Sequence, residues 1–268
     1  MKDSTKSIGV IGFGIMGASM ARNLAKRGYK VFGSSRTLSK VAALRNEGVA
    51  PSTPSEIALS CPIVLLSLSD GKSVNDVLFG DEGIAPQMPK DSLIIDTTTI
   101  SPNEAAQLAI RCADLDLHFV DAPVTGGDIG AQNATLTIMC GGAPESFELA
   151  QPILRCIGKK IVHVGPSGSG QMMKAVNQVA IGLGIVAMTE SLLLAERQGI
   201  DPALALEVLQ GGAAASWALS NYAPRLLAGD LKPGFDPDPR PDHLAAREDG
   251  IGEHDRPVRR VANRPGGR

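Results

Sequence analysis

The chain of 268 residues lacks several features that would place it in other functional classes. Its four cysteines are widely spaced, with no Cys-x-x-Cys pair and no Cys/His cluster, so we expect neither a zinc site nor a disulfide framework. They are typical of reduced, buried thiols in a cytoplasmic protein. The formal net charge of −2 offers no overall attraction for nucleic acid or for an anionic membrane surface.

Targeting and membrane-spanning segments are not indicated either. The first apolar run leads straight into a glycine loop, unlike a signal peptide, and the most apolar segment, residues 179–188, is too short to cross a bilayer. We therefore expect no membrane partner and no nucleic-acid partner. The length suits one large or two medium domains with a sizeable core.

The most informative segment is residues 8–17, where an apolar, β-branched run meets Gly-x-Gly-x-x-Gly, with a predicted helix over 16–27 behind it. In a dinucleotide site, Gly12 allows the tight turn, Gly14 lets the backbone approach a pyrophosphate, and Gly17 lets the helix pack close to the strand. The N–H groups and the positive dipole end of the helix would face the phosphates. The alternative is a glycine turn without a ligand.

The second predicted strand, residues 30–37, bears on the choice of cofactor. An Asp or Glu there would accept hydrogen bonds from the ribose 2′-OH of NAD(H), and none is present. The strand instead carries Ser34, Ser35 and Arg36, and a guanidinium matches a phosphate with two parallel hydrogen bonds. We predict NADP(H) over NAD(H), and the alternative role of Arg36 is that of an ordinary exposed charge.

The order of elements over residues 1–165 indicates the fold. Short β-rich runs alternate there with helical patterns, which predicts βαβ units in a doubly wound, mostly parallel sheet of the Rossmann type. Continuous apolar runs suit strands that helices cover on both faces. The further predicted strands cover 63–68, 93–96, 118–123, 134–139 and 160–163, and two of the predicted helices cover 102–113 and 144–157.

The character of the sequence changes near residue 165. A helical pattern continues to about residue 198, a length of about 45 Å at 1.5 Å per residue. Further helices are predicted from Asp201-Pro202 to Gly211-Gly212 and over 216–227, so we expect an all-α second domain over 166–235. Residues 236–268 contain seven Arg, no Lys and five Pro, and we expect a disordered tail there.

Two segments at predicted strand ends carry polar groups. Asp-Thr-Thr-Thr-Ile-Ser-Pro at 96–102 could present hydroxyls to a nicotinamide ribose or a substrate, because ligands bind outside the carboxyl ends of parallel strands. Asp-Ala-Pro-Val-Thr-Gly-Gly at 121–127 could hold a substrate carboxylate on backbone N–H groups beside its paired glycines. Taken alone, the first could be a strand end with a helix cap, and the second a plain turn.

Lys174 lies one turn into the long predicted helix, with Asn177 and Gln178 on nearly the same face. Its apolar neighbours indicate that this face is enclosed between the two domains. Burial would lower the pKa of the lysine toward the range that suits proton transfer with an alcohol oxygen. Taken alone, such a lysine is more often structural. The apolar neighbours are Met172, Met173, Ala175, Val176 and Val179.

These four segments, in this order and at this spacing, make the chain similar to the β-hydroxyacid dehydrogenases over about residues 7–235. The resemblance implies a Rossmann-type domain followed by an all-helical domain, with the active site in the cleft. It implies Lys174 as the general acid/base, with Asn177 and Gln178 positioning it and the substrate. The residues that it implies for the substrate carboxylate are Thr125, Gly126 and Gly127.

The cofactor-binding residues are expected in the glycine loop, after the second strand and at two further strand ends. They are Gly12, Phe13, Gly14, Ile15, Met16, Gly17, Ser34, Ser35, Arg36, Thr37, Leu68 and Thr99, of which the resemblance places the last near the nicotinamide. The predicted reaction is hydride transfer between NADP(H), or alternatively NAD(H), and a short β-hydroxyacid or its semialdehyde or keto form, without a metal. The family usually has Ser where this chain has Thr125, and some members have Asn where it has Gln178.

The sequence departs from the family pattern after Phe235, where the family continues with a helix that carries a Lys-Asp pair. The abrupt change from Lys to Arg predicts a frameshifted or truncated family member. Two alternative functions follow. The chain could bind a dinucleotide with little or no catalysis because the last helices are lost, or it could be a structural protein. In the family the helical domain often forms homo-oligomers, which makes a homo-oligomer possible here.

We predict a lower Michaelis constant for NADPH than for NADH, because Arg36 would bind the 2′-phosphate. Both constants are measured with the same aldehyde acid at saturating concentration. A clear preference for NADH would remove the role assigned to Arg36.

Overall fold

The computed structural model describes residues 6–230 of the chain. A sheet of nine strands organises this part of the chain. In chain order the strands are β1 (Ser7–Ile11), β2 (Lys30–Ser34), β3 (Val49–Pro51), β4 (Ile63–Leu66), β5 (Leu93–Asp96), β6 (His118–Asp121), β7 (Val124–Thr125), β8 (Leu136–Gly141) and β9 (Gly158–Gly165).

The sheet is doubly wound, which confirms the predicted Rossmann-type fold class. Its order is β3-β2-β1-β4-β5-β6-β8-β7, with β9 paired to β8. Strands β1 to β6 are parallel, while β8 is antiparallel to β6 and β7 and parallel to β9. The order reverses between β1 and β4, the point at which ligands bind in open sheets of this kind.

The register of the sheet brings four strand ends together. Ile11 of β1 pairs with Leu66 of β4, Leu66 with Asp96 of β5, and Asp96 with Asp121 of β6. The glycine loop and both polar segments at 96–102 and 121–127 therefore begin at the same edge. The carboxyl edge of the sheet is where the predicted site residues can meet.

Helices connect the strands and then continue alone. They are α1 (Ile15–Lys26), α2 (Leu38–Ala42), α3 (Pro54–Ser60), α4 (Gly71–Phe79), α5 (Pro102–Ala113), α6 (Gly127–Gln132), α7 (Pro144–Ile157), α8 (Ser169–Arg197), α9 (Pro202–Gln210), α10 (Trp217–Asn221) and α11 (Ala223–Leu227). The predicted bounds of α5 and α7 are confirmed. Helix α5 begins where expected because Ser101 and Glu104 form a capping box around Pro102.

Two apolar clusters cover the two faces of the sheet. In β5, Ile95 belongs to the cluster that contains α1 and α7, whereas Ile94 belongs to the one that contains α3, α4 and α5. This alternation follows from the two-residue period of a strand. All four cysteines are buried, as predicted.

Several predicted elements differ from those observed. The sequence analysis gives no bounds for six short elements, which have nine residues or fewer and show no clear period. They are β3, β7, α2, α3, α4 and α6. The single helix expected over 216–227 is wrong, because the chain forms α10 and α11 there. Pro224 lacks the N–H that would bond to the carbonyl of Ser220 and continue one helix. Strand β9 is longer than the predicted 160–163 because it pairs with β8 along its length.

Helix α8 has 29 residues, and the segment 179–188 predicted to be too short for a bilayer is only part of it. By length and composition this helix meets the requirement for crossing a membrane, a weak criterion that core helices of soluble proteins also meet. Met188 and Leu192 pack on residues of α9, α10 and α11. The predicted tail, 236–268, lies outside the described residues.

We expect Ile95→Ala to lower the free energy of unfolding by about 2–5 kcal/mol, because it leaves a cavity in the centre of the sheet. Ile95 has no exposed surface, whereas Ile110 of α5 is 55% exposed. The control Ile110→Ala should therefore change stability by about 0.5 kcal/mol or less. Urea unfolding measures both. Equal losses in the two variants would contradict this placement of the core.

Candidate active site

The glycine loop between β1 and α1 has three glycines in three different surroundings. A Cβ on Gly12, where φ is +101°, would collide with the carbonyl of Ser67, and one on Gly17 would collide with the carbonyl of Gly12. A Cβ on Gly14 would meet no atom within 4 Å. Gly12 and Gly17 are therefore required by the turn and the packing, and Gly14 faces open space.

The N-terminus of α1 fits a phosphate group. No side chain caps this 12-residue helix, and no acidic residue lies in its first turn. Its first N–H groups and its positive dipole end therefore point into the space in front of Gly14. Ile15 lies 41% exposed at the same turn, and Met16 packs partly against the core. Phe13 is buried and its ring contacts Gly33, so only its backbone is available there.

The end of β2 lies next to the glycine loop. The Gly12 amide donates to the carbonyl of Ser34, whose side chain is buried. The Ser35 hydroxyl accepts a hydrogen bond of 3.2 Å from the Thr37 amide, which fixes the turn. Arg36 is exposed, and its guanidinium is therefore accessible to a ligand at this edge.

The three threonines after β5 have different surroundings. The Thr97 hydroxyl donates to the carbonyl of Leu66 at 2.6 Å, and the Thr98 hydroxyl accepts from the Leu68 amide at 3.0 Å. Both side chains are buried. Thr99 is exposed at the sheet edge. The sequence analysis expected the hydroxyls of this segment to face a ligand. Those of Thr97 and Thr98 instead join the segment after β5 to the end of β4.

The start of α8 is fixed to the carboxyl end of β6. The Asp121 carboxylate accepts from the Gly168 amide at 2.8 Å and from the Gln171 amide at 3.0 Å. A Cβ on Gly170 would lie 2.7 Å from this carboxylate, and one on Gly168 would lie 2.5 Å from the carbonyl of Pro102. The glycines before Lys174 are therefore required by close packing of α8 on the sheet.

Lys174 lies one turn further along α8 and points toward β7. Its Nζ donates to the carbonyl of Val124 at 2.8 Å, directly before Thr125. The side chain is half-buried, and burial lowers the pKa of its ammonium group below the ordinary lysine value. The Val124 carbonyl is a neutral acceptor and adds no negative charge beside the ammonium group. Among the described residues, burial is the cause of the lowered pKa.

The two amides that follow Lys174 differ in exposure. Asn177 is half-buried, and its Oδ1 is enclosed without a hydrogen-bond partner among the described residues. Gln178 is exposed. The expectation that apolar neighbours enclose this face is wrong, because only the side of α8 that faces the sheet is covered. The neighbours Met172, Met173, Ala175, Val176 and Val179 are all exposed.

The turn from β7 into α6 follows Val124, the residue whose carbonyl accepts from Lys174. Gly126 and Gly127 have φ values of +127° and +66°, conformations that favour glycine. Thr125 is half-buried and Gly127 is exposed. The Trp217 ring of α10 would come within 4.0 Å of a Cβ on Gly127, which places it beside this turn. The sequence analysis missed Trp217, and only its being the sole tryptophan could have drawn attention to it.

The described residues thus bring the glycine loop, Thr99, residues 125–127 and Lys174 to one edge of the sheet. Among them, no group of three or more His, Cys, Asp or Glu could hold a metal ion. The sequence analysis missed four residues at this edge or left them without a role. Asp121 holds the start of α8 through the amides of Gly168 and Gln171. The Asp96 carboxyl group accepts from the Thr98 amide, and Trp217 lies beside the turn at 125–127.

Comparison with known proteins identifies the family. The model for the NAD binding domain of 6-phosphogluconate dehydrogenase matches residues 7–165, and the model for the NAD-binding domain of NADP-dependent 3-hydroxyisobutyrate dehydrogenase matches residues 168–238. The chain belongs to the β-hydroxyacid dehydrogenase family. It is therefore an NAD(P)-dependent dehydrogenase of the hydroxyacid type.

Individual relatives agree with this assignment. An uncharacterized oxidoreductase from Synechocystis sp. is 45% identical over 87% of this chain and 81% of its own length. The 2-hydroxy-3-oxopropionate reductase of Escherichia coli is 37% identical over 85% of this chain and 78% of its own. The solved 3-hydroxyisobutyrate dehydrogenase of Mycobacterium tuberculosis, with L-serine, has a TM-score of 0.78, is 28% identical and is matched over 91% of this chain and 86% of its own.

A second buried carboxyl group lies next to Asp121 in this dehydrogenase. Asp96 is fully buried, its Oδ1 accepts from the Thr98 amide at 2.9 Å, and its Oδ2 has no partner among the described residues. Burial raises the pKa of Asp96 to about 7, and the charge of Asp121 adds to this, while hydrogen bonds from Thr98 oppose it. The folded protein therefore binds a proton that the unfolded chain releases at lower pH.

We expect Asp96→Asn to remove a pH dependence of stability. Because the folded pKa is raised, the stability that Asp96 contributes to wild type is lost as pH rises from 3.8 to about 7. The free energy of unfolding of the variant, relative to wild type, should therefore increase over this window. The gain is on the order of 1 kcal/mol for each pH unit between the two pKa values. Urea unfolding from pH 4 to pH 8 measures it, and a difference independent of pH would contradict it.

Proposed function

We propose that this dehydrogenase uses NADP(H) to interconvert a short β-hydroxyacid and its semialdehyde or keto form, with Lys174 as general acid/base. The observation that carries the proposal is the half-buried Lys174 ammonium group, held on the carbonyl of Val124 beside the turn at 125–127. The group lies at the same sheet edge as the glycine loop. The Lys174 ammonium group is therefore a proton donor at the edge that carries the proposed sites for cofactor and substrate.

The proposed cofactor site fits a phosphorylated dinucleotide. Gly14 leaves space in front of the uncapped N-terminus of α1, where a pyrophosphate would accept hydrogen bonds from the backbone N–H groups. Arg36 supports NADP(H), because its exposed guanidinium follows Ser34 and Ser35 and no carboxylate stands there to repel a 2′-phosphate. When bound, the nicotinamide donates or accepts the hydride, and Thr99 would lie near it.

The proposed substrate site combines an anion-binding turn with a wall. The backbone of Gly126 and Gly127 and the hydroxyl of Thr125 would hold the substrate carboxylate. Trp217 lies beside Gly127 and would limit the length of the substrate on that side. These surroundings favour a short acid whose carbonyl or hydroxyl carbon faces Lys174.

Lys174 would give its proton to the substrate oxygen as hydride reaches the carbonyl carbon, and would take it back in the oxidising direction. The ammonium group also stabilises the negative charge that develops on that oxygen. The unpartnered Oδ1 of Asn177, one turn along α8, is available to hold the ammonium group or the substrate hydroxyl. Gln178 would contact the substrate from the exposed side of the helix.

Helix α8 has an exposed apolar face that could contact another protein chain. We propose that a second copy of the chain covers it, so that the protein is a homo-oligomer. Side chains more than half exposed on this helix are Met172, Val176, Val179, Leu183, Val186 and Leu194. Because the family match ends at residue 238, a dinucleotide-binding protein with little catalysis is the second candidate function.

We expect wild type to oxidise NADPH with at least one of glyoxylate, succinic semialdehyde, tartronate semialdehyde and methylmalonate semialdehyde. Lys174→Ala should lower turnover by about 10²–10⁴-fold while NADPH still binds. Lys174→Arg keeps the charge but holds its proton too tightly to release it, so its turnover should also remain low. The control Lys160→Ala changes an exposed lysine on β9 and should behave as wild type.

The results separate the candidate functions. Near-normal turnover in Lys174→Ala would remove Lys174 from the mechanism. NADPH binding without oxidation of any of the four acids would favour the second candidate. Turnover is followed by NADPH absorbance, and binding by fluorescence titration.

A further inference from the structure

Gln171 is the most completely buried polar side chain of α8, with 2% of its surface exposed. Its Oε1 accepts a hydrogen bond of 3.2 Å from the Ile100 amide, and its Nε2 donates to the carbonyl of Thr98 at 2.7 Å. The two backbone groups flank Thr99. One side-chain amide thus bonds to the chain on both sides of the residue proposed to lie near the nicotinamide.

Gln171 also lies three positions before Lys174 on α8, so the two side chains project from adjoining turns of one face. The backbone amide of Gln171 donates to the Asp121 carboxylate at 3.0 Å. The residue is therefore fixed at its backbone to β6 and at its side chain to the segment after β5. Without these side-chain hydrogen bonds, the first turn of α8 could move Lys174 relative to the backbone at Thr99.

We infer that Gln171 is a positioning residue for the reaction: it sets the distance between the Lys174 ammonium group and the segment that carries Thr99. The inference rests on the proposed function of Lys174. Among the described residues the Gln171 side chain makes its hydrogen bonds to the backbone of Thr98 and Ile100, and it makes none to the Lys174 ammonium group or to the Thr99 hydroxyl. The sequence motif around Lys174 gives it no role. Its effect arises because proton transfer and hydride transfer must occur at neighbouring atoms of one substrate, and small displacements of either group are costly in rate.

The main test is Gln171→Met, which keeps the size of the side chain and removes both hydrogen bonds. We expect kcat to fall by about 10–100-fold, while KM for the aldehyde acid and Kd for NADPH stay within about 3-fold. In its protonated form, Gln171→Glu keeps an acceptor for the Ile100 amide and an O–H donor for the Thr98 carbonyl, so below the pKa of this buried carboxyl group its kcat should lie between those of wild type and Gln171→Met. The matched control is Gln87→Met, since Gln87 donates to the carbonyl of Gly83 at the opposite edge of the sheet.

A second readout needs neither cofactor nor activity. Hydrogen exchange at the Ile100 amide should be slow in wild type and in Gln87→Met, and faster in Gln171→Met. Acetic anhydride labelling across pH, read by mass spectrometry, should show Lys174 titrating below the ordinary lysine range in wild type, because burial lowers its pKa, and closer to that range in Gln171→Met.

The outcomes are distinguishable. If wild type oxidises NADPH with none of the four acids, the proposed function fails, and exchange and labelling still decide whether Gln171 couples the two segments. Unchanged exchange at Ile100 and unchanged Lys174 labelling in Gln171→Met would overturn the inference. A loss of kcat in Gln171→Met that Gln87→Met reproduces would also overturn it. Should Gln171→Met fail to fold, the same comparisons are made with Gln171→Glu.

Discussion

The arrangement of this site depends on one interaction, the pair of hydrogen bonds from the first turn of α8 to the Asp121 carboxylate. A negative charge at a helix N-terminus is favoured by the N–H groups and by the dipole. Here the carboxylate is itself buried, and burial raises the pKa of Asp121 above the ordinary value. The hydrogen bonds that it accepts from backbone amides oppose this increase in part. Glycines at 141, 168 and 170 leave room for this contact, since a Cβ on any of them would press on Asp121 or the nearby backbone.

The rest of the site follows from that contact and from the register of the sheet. Parallel strands end at one edge, so the glycine loop, the threonine segment and the turn at 125–127 are neighbours although they are far apart in sequence. Helix α8, which is bonded to Asp121 at the end of β6, brings Lys174 to this edge. The contact between α8 and the strand ends places a partly desolvated ammonium group beside the proposed dinucleotide and carboxylate sites.

The sequence predicts the fold class, and it locates the segments that meet at the carboxyl edge of the sheet, because glycine spacing, apolar runs and helix caps are local signals. Pro102 with its capping box and the glycines of the first loop are examples. Other features depend on tertiary contacts. Whether Thr97 and Thr98 face a ligand or the neighbouring strand, and whether Met172 is covered, cannot be read from period or composition. Gln171 carried no sequence signal, since its role depends on backbone groups some 70 positions away.

A crystal structure with NADP+ and an unreactive hydroxyacid analogue tests the central claim most directly. The account predicts that the Lys174 Nζ lies within about 2.6–3.2 Å of the analogue oxygen, on the side of the substrate next to the nicotinamide. An ammonium group in bulk solvent, with the analogue bound away from the turn at 125–127, would contradict it.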